Sequence, residues 1–402
     1  MKLYNTMTRS LEQFQPKDKN NVKIFTCGPS VYRRPHIGNY RTFIFEDLLV
    51  RYLEYRGYGV NRVINFTDVE DKTIEESREM GISPEDLTDK VKETFRSECA
   101  MLDIKLPDFI PSSATSVETA AELIQILMDK GYAYRYDGNI FFDPLKKKDF
   151  GKLAHLDMSK WPKKKIRFKL DTYPGTRWNR GDFILWHGYR ENCPAVWDTV
   201  IGKGRPSWNI QDPAMIYKHL GTQIDIKCGG IDNIVRHHDY NIAIMEAISG
   251  KEFSKYYLHG EHLVVDGKKM SKSLGNIYYP EDIIKSDTDA SSLRYFFLRK
   301  HYRKKLNFTR NAFDTARNEL DEINSLIGRI LNGTAVGPSA DKIRKTFESN
   351  LDNDLDAAGF LKELKPLLSD AEKSGGKMGG PELKEFKTVL KDINEVLHIF
   401  RF

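Results

Sequence analysis

The chain has 402 residues, 40% hydrophobic and 11% aromatic, with 63 Lys and Arg against 57 Asp and Glu and a net charge of +6. That length supports two or three domains with their own cores, and the mild positive excess permits a polyanionic partner without requiring one. No apolar run approaches the ~20 residues of a membrane span, and Met1-Lys2-Leu3-Tyr4-Asn5 lacks the apolar core of a secretion signal, so the expectation is a cytoplasmic protein with no membrane partner. Cys27, Cys99, Cys193 and Cys228 form no C-x-x-C pair, which suits a reducing compartment and leaves any metal site to be assembled from distant segments.

Taken in order, Val22 to Cys27 predicts a buried strand ending at Gly28-Pro29. Phe43, Ile44, Leu48, Leu49, Tyr52 and Leu53 then recur at helical spacing until Gly57, and Val60 to Phe66 predicts the next strand. This is a β-α-β unit, which places ligands at the carboxyl ends of its strands. Pro35-His36-Ile37-Gly38-Asn39 stands at the helix start. Free N–H groups there favour phosphate, Gly38 lets a ligand approach closely, the His36 imidazole can donate to phosphate or ribose oxygens, and Asn39 can support the same pocket. Thr67 and Asp68 leave the second strand at the same edge, where the acidic run from Asp68 reads equally well as the first turn of the following helix. Ser83 caps a helix through Met101, Val117 to Met128 forms another, and residues 133–136 and 140–142 form a hairpin. Lys146-Lys147-Lys148 and Lys163-Lys164-Lys165 make a basic stretch that is either solvated surface or a track for an RNA backbone.

In the second half, Gly204-Arg205-Pro206-Ser207-Trp208 leads into a helix containing Asp212, and Ile224 to Cys228 predicts a strand. Gly229-Gly230-Ile231-Asp232 is its turn into a helix bearing His237, His238 and Asn241, with two glycines that permit close approach of adenine or ribose. His259 and His262 lie on the strand entering Lys269-Met270-Ser271-Lys272-Ser273, a mobile loop whose two lysines can neutralise charge as a phosphate bond breaks. Beyond Ser291 the pattern is helical, at 293–302, 312–331, 340–369 and 381–400, with glycine-rich breaks between.

His36-Ile37-Gly38-Asn39 followed far downstream by Lys269 to Ser273 resembles the paired signatures of class I aminoacyl-tRNA synthetases. Phe25 to Pro29, Arg41-Thr42-Phe43, Asn65 to Val69, Gly204-Arg205-Pro206-x-Trp208, Gly229-Gly230-x-Asp232 and His237-His238 narrow the resemblance to the cysteinyl-tRNA synthetase family. The resemblance implies an α/β fold: a Rossmann-type parallel-sheet catalytic domain in two halves (1–143 and 204–300), a basic insertion (144–203) and a C-terminal helical bundle (301–402). It implies ATP-dependent activation of an amino acid to an aminoacyl adenylate, with Mg2+, and transfer to tRNA(Cys). Lys269, Lys272 and His36 would be catalytic. His36, Gly38, Asn39, Gly229, Gly230, Asp232 and Lys272 would bind ATP, while Cys27, Thr67, Trp208, Asp212, His237 and Asn241 would form the amino-acid pocket.

The departures from the family shape further expectations. Its members hold Zn2+ with two cysteines, a histidine and a glutamate, which selects the cysteine thiolate. Here those positions correspond to Cys27, Asp212, His237 and Asn241, so Cys27, Asp212 and His237 remain as metal candidates, and an intact thiol-selecting site is not expected. His238 and Asp239 are expected to point elsewhere on the helix. With no metal, an Asp212 carboxylate would favour a substrate side chain with an amine or hydroxyl donor. Arg33-Arg34 replaces an acidic and an aromatic residue, and meets an anionic substrate, the RNA acceptor end or solvent. The chain stops at Phe402, before the family's anticodon-reading segment. These departures leave open an altered amino acid, a small amine acceptor in place of tRNA, or a catalytically silent RNA-binding paralogue.

Overall fold

The computed structural model describes residues 1–160, 181–191, 193–373 and 378–402. The second basic run, Lys163 to Lys165, lies outside them. Four parallel strands form the central sheet in the order Ser254–Gly260, Ile224–Gly230, Val22–Thr26, Val60–Ile64. Val22, Ile24 and Phe25 are all buried, the run of apolar residues expected of a strand covered on both faces. The chain leaves Val22–Thr26 for one neighbour through helix Ile37–Tyr55, while Ile224–Gly230 and Ser254–Gly260 lie on the other side. Connections therefore diverge between Val22–Thr26 and Ile224–Gly230, and the crevice beyond their carboxyl ends is where such sheets bind ligands. This is an α/β Rossmann-type sheet.

Helix Ile37–Tyr55 turns Ile37, Tyr40, Phe43, Ile44, Leu48 and Leu53 into the core, and the chain reverses at Gly57 with φ of +80°. A five-stranded antiparallel sheet, ordered 133–136, 139–142, 183–188, 202–206, 197–199, contains the expected hairpin at its edge. In the first basic run Lys147 pairs with Asp149 and Glu246, so this lysine serves an internal ion pair as well as the surface.

The C-terminal part is helical as expected, with two corrections. The predicted helix 340–369 is two helices, Ala340–Leu351 and Ala357–Lys373. Asp354 and Leu355 adopt φ of +63° and +56°, and the Asp354 carboxylate accepts from Tyr4 N at 2.8 Å and Tyr302 Oη at 2.7 Å, which fixes the break against the N-terminal strand. The predicted helix 293–302 spans Asp287–Leu298 instead. Past it the chain forms a short strand, Leu306–Phe308, parallel to Leu263–Val265. These helices share a continuous apolar core with the catalytic sheet: Phe347 packs edge-on against Tyr52 and Tyr55, and buried Arg294 donates to Leu397 O at 2.6 Å and pairs with Asp47. Among the described residues no helix is long and apolar enough to cross a membrane.

Candidate active site

A cleft of about 550 Å3 opens at the carboxyl end of the central sheet, lined among others by His36, Gly38, Asn39, Gly230, Asp232 and Lys269. These residues come from three separate segments, and the sheet edge brings them together. His36 is the N-cap of helix Ile37–Tyr55: its Nδ1 accepts from Gly38 N at 3.2 Å, while its own N donates to Asn39 Oδ1 at 3.0 Å. An Nδ1 that accepts leaves the ring proton on Nε2. Burial lowers the His36 pKa, with the nearby Lys269 charge acting in the same direction, so at neutral pH the ring is an uncharged donor. A Cβ on Gly38 would come within 2.6 Å of Met270 Cε, so the lysine loop packs closely over the helix start here, and a larger residue would have to displace the end of the Met270 side chain. Asn276 ties that loop, accepting from Ser271 N at 2.9 Å and donating to Lys269 O at 3.3 Å. Lys272 opens a short 3-10 turn through Leu274. Its side chain lies outside the described atoms.

Cys27 also lines the cleft, beside a buried cluster that includes a residue without a sequence signal, Lys227. Asp212 is its centre. Asp212 Oδ1 accepts from Asn65 Nδ2 at 3.1 Å, and Oδ2 accepts from Lys227 Nζ at 2.9 Å and lies 2.7 Å from His237 Nε2. The Cys27 thiol faces the same Oδ2 at 3.6 Å, with Lys227 Nζ at 3.5 Å. Trp208 stacks on His237 with ring centroids 4.8 Å apart. Asn241 is fully buried, and neither of its amide atoms has a hydrogen-bond partner among the described residues.

Other expected positions fall differently. His238 does not point away: its Nε2 lies 3.2 Å from Cys27 Sγ and its Nδ1 2.8 Å from His259 Nε2. The cause is a π-helical turn over Ile234–His238, whose i→i+5 bonding puts more residues in each turn, departs from the i, i+4 spacing assumed for a regular helix and leaves both His237 and His238 at the cluster. The Gly229 position faces His238 and the Asn233 amide at about 3 Å, so its missing Cβ makes room for protein side chains, whereas Gly230 borders the cleft. Thr67 bridges Ser30 through its backbone and receives a 3.4 Å contact from Asn65 Nδ2. Asp68 is paired with Lys92 at 3.0 Å and accepts from Ala114 N, which makes it scaffold. Arg33 and Arg34 line the cleft but already pair with Glu76, Glu98 and Glu281.

A sequence profile described as the class I (C) tRNA synthetase catalytic domain matches residues 13–318. Among similar proteins, the cysteine–tRNA ligase of Brachyspira hyodysenteriae is 36% identical over 99% of this chain and 86% of its own length. That of Chlamydia muridarum is 34% identical over 100% and 88%. The chain belongs to the cysteinyl-tRNA synthetase family. It is thus a ligase of the aminoacyl-tRNA synthetase kind. Solved class I structures share its fold. Mycobacterium tuberculosis methionyl-tRNA synthetase bound to methionyl-adenylate superposes with a TM-score of 0.67 at 18% identity, covering 94% of this chain and 90% of that one. The Agrobacterium radiobacter leucyl-tRNA synthetase ternary complex reaches 0.68 at 11% identity, covering 96% and 84%.

The zinc implied by this family can be tested against the donor atoms. Cys27, Asp212 and His237 each offer an atom within 4.8 Å of the others. Two ligands about 2.0–2.1 Å from one tetrahedral ion sit roughly 3.3 Å apart, whereas Asp212 Oδ2 and His237 Nε2 are 2.7 Å apart, a direct hydrogen bond. Oδ2 also receives Lys227, so its two lone pairs are occupied. Burial pushes the Cys27 thiol up, outweighing the opposing pull of Lys227, and zinc takes a thiolate. The set does not fit the metal. The expectation that Asp212 would invite a substrate amine is also corrected, because Lys227 and His237 already meet this carboxylate and Lys227 balances its charge.

Proposed function

We propose that this synthetase joins an amino acid to ATP, forming an aminoacyl adenylate, and transfers the aminoacyl group to tRNA. A substrate carboxylate oxygen attacks the α-phosphorus of ATP, the α–β phosphoanhydride bond breaks, and pyrophosphate leaves with Mg2+. His36 donates Nε2–H to a phosphate oxygen, the free N–H groups at the helix start face the same charge, and Lys269 and Lys272 stabilise the negative charge that moves onto pyrophosphate. Gly230 and Asp232 border the nucleoside. Cys27, Trp208 and the Asp212 cluster bound the amino-acid side chain. Cysteine is the amino acid named for the curated relatives, and tRNA(Cys) the matching acceptor; the cytoplasm is where such charging takes place.

The carrying observation is that His36, Gly38, Asn39, Gly230, Asp232 and Lys269 line one cleft together with Cys27. The test is ATP–pyrophosphate exchange with each of the twenty amino acids, followed by charging of tRNA(Cys). Exchange with cysteine, and a cysteinyl-tRNA product, is expected. Folded protein that binds ATP yet shows no exchange with any amino acid would overturn the proposal.

A further inference from the structure

Lys227 is 0% exposed, and its Nζ lies 2.9 Å from Asp212 Oδ2, 3.5 Å from Cys27 Sγ and 4.0 Å from the centroid of the Phe25 ring. It emerges from strand Ile224–Gly230, the middle neighbour of Val22–Thr26, so its side chain is delivered to the cluster by the same sheet edge that delivers Cys27. A cation buried this deeply requires a carboxylate, and Asp212 supplies it. Asp212 in turn stands where the family has a metal-binding cysteine, and Asn241 where it has a metal-binding glutamate. The substitutions form one coherent set: a soft anionic ligand becomes a carboxylate, an anionic ligand becomes a neutral amide, and an amine occupies the space between Asp212 and Cys27.

We infer that Lys227 is the resident cation of this pocket, standing in for the zinc of the family, and that the enzyme activates its amino acid with no metal at this position. Lys227 holds Asp212, which holds His237 under Trp208 and faces the Cys27 thiol, so the wall that a metal would organise is organised by an internal ion pair. The floor then presents a thiol and stacked rings to the substrate side chain, with the anion and the cation held to each other. A second metal such as iron or cobalt is disfavoured on the same grounds, since the atoms that would ligate it already bond one another.

The inference rests on the activation reading only for its kinetic readout; metal content is measured whether or not the protein exchanges pyrophosphate. The full chain is purified from zinc-supplemented culture, dialysed against chelator and analysed for zinc by mass spectrometry. Substoichiometric zinc is expected, with cysteine-dependent exchange unchanged by 1,10-phenanthroline. One zinc retained per chain, or exchange lost in chelator and restored by zinc, would overturn it. As a gain-of-site test, Lys227→Ala combined with Asn241→Glu removes the internal cation and returns a carboxylate, and is expected to bind zinc about 10- to 100-fold tighter than the wild type. Equal zinc affinity in the folded variant would show that Lys227 is not what excludes the ion. Should that variant not fold, the wild-type zinc content decides alone.

Discussion

The two ends of the cleft grow from one sheet edge, yet they treat their polar groups in opposite ways. At the nucleotide end, His36 uses one ring nitrogen to cap its helix and keeps the other proton for a ligand, and among the described residues no carboxylate pairs with Lys269. At the other end, Asp212, Lys227, His237, Cys27 and His238 meet one another directly. Charged groups left open can be offered to a substrate that brings charge of its own, as ATP does. Groups satisfied internally define a shape. On the proposed function, the nucleotide end would carry chemistry common to every amino acid, and the other end selectivity that can be rebuilt without disturbing it.

The largest expected effect comes from breaking the closed end. Asp212→Ala leaves Lys227 buried without its partner and should destabilise the fold by about 3–5 kcal/mol, read by urea unfolding. Asp212→Leu with Lys227→Met removes both charges and should recover most of that loss, because replacing a buried pair with apolar groups of similar size is close to neutral. If the double variant is as unstable as the single one, the contrast between the two ends is not one of internal satisfaction.

The open end is tested by Lys269→Ala, which should leave folding intact and lower the rate of ATP–pyrophosphate exchange by about 10²- to 10³-fold, the usual effect of removing one group that stabilises transition-state charge. The KM for the amino acid should move by only a few-fold, since Lys269 acts at the other end. A large rise in that KM with an unchanged rate would place Lys269 in amino-acid binding and erase the distinction.

Much of the open end was legible in the sequence because its signals are local. A histidine and glycine between a strand and a helix, and two lysines in a short loop, announce their geometry within a few residues. The parallel sheet was equally legible from its apolar runs. The closed end was not, because its partners lie on or just beyond two strands and on two helical segments, and their meeting depends on register. Lys227 read as an ordinary strand residue, and the pairing Lys227↔Phe25 that sets it beside Cys27 appears only in three dimensions. His238 was misplaced for a different reason: a π-helical turn alters helical phase, and residue spacing carries no sign of it. Asp354 escaped notice because a left-handed break inside an otherwise amphipathic run is decided by its distant partners, Tyr4 and Tyr302.

The last effect is a pH dependence. Glu46 lies on helix Ile37–Tyr55, whose start holds His36, and it faces Arg62 at 3.5 Å with no hydrogen bond to either carboxyl oxygen among the described residues. Burial raises its pKa to about 8, against the weaker opposing pull of Arg62 and Lys227. A carboxyl whose folded pKa is raised gives its full stabilisation below the unfolded pKa and loses it as pH rises through the folded value. Its contribution should therefore fade between about pH 4.5 and about pH 8. Glu46→Gln cannot ionise, so its unfolding free energy should fall less steeply with pH than that of the wild type over that window. Parallel pH profiles for the two proteins would mean that Glu46 is ionised in the fold and balanced by Arg62. The field of Lys227 would then reach the nucleotide-binding helix as part of a wider charge network, and the two ends of the cleft would be electrostatically joined.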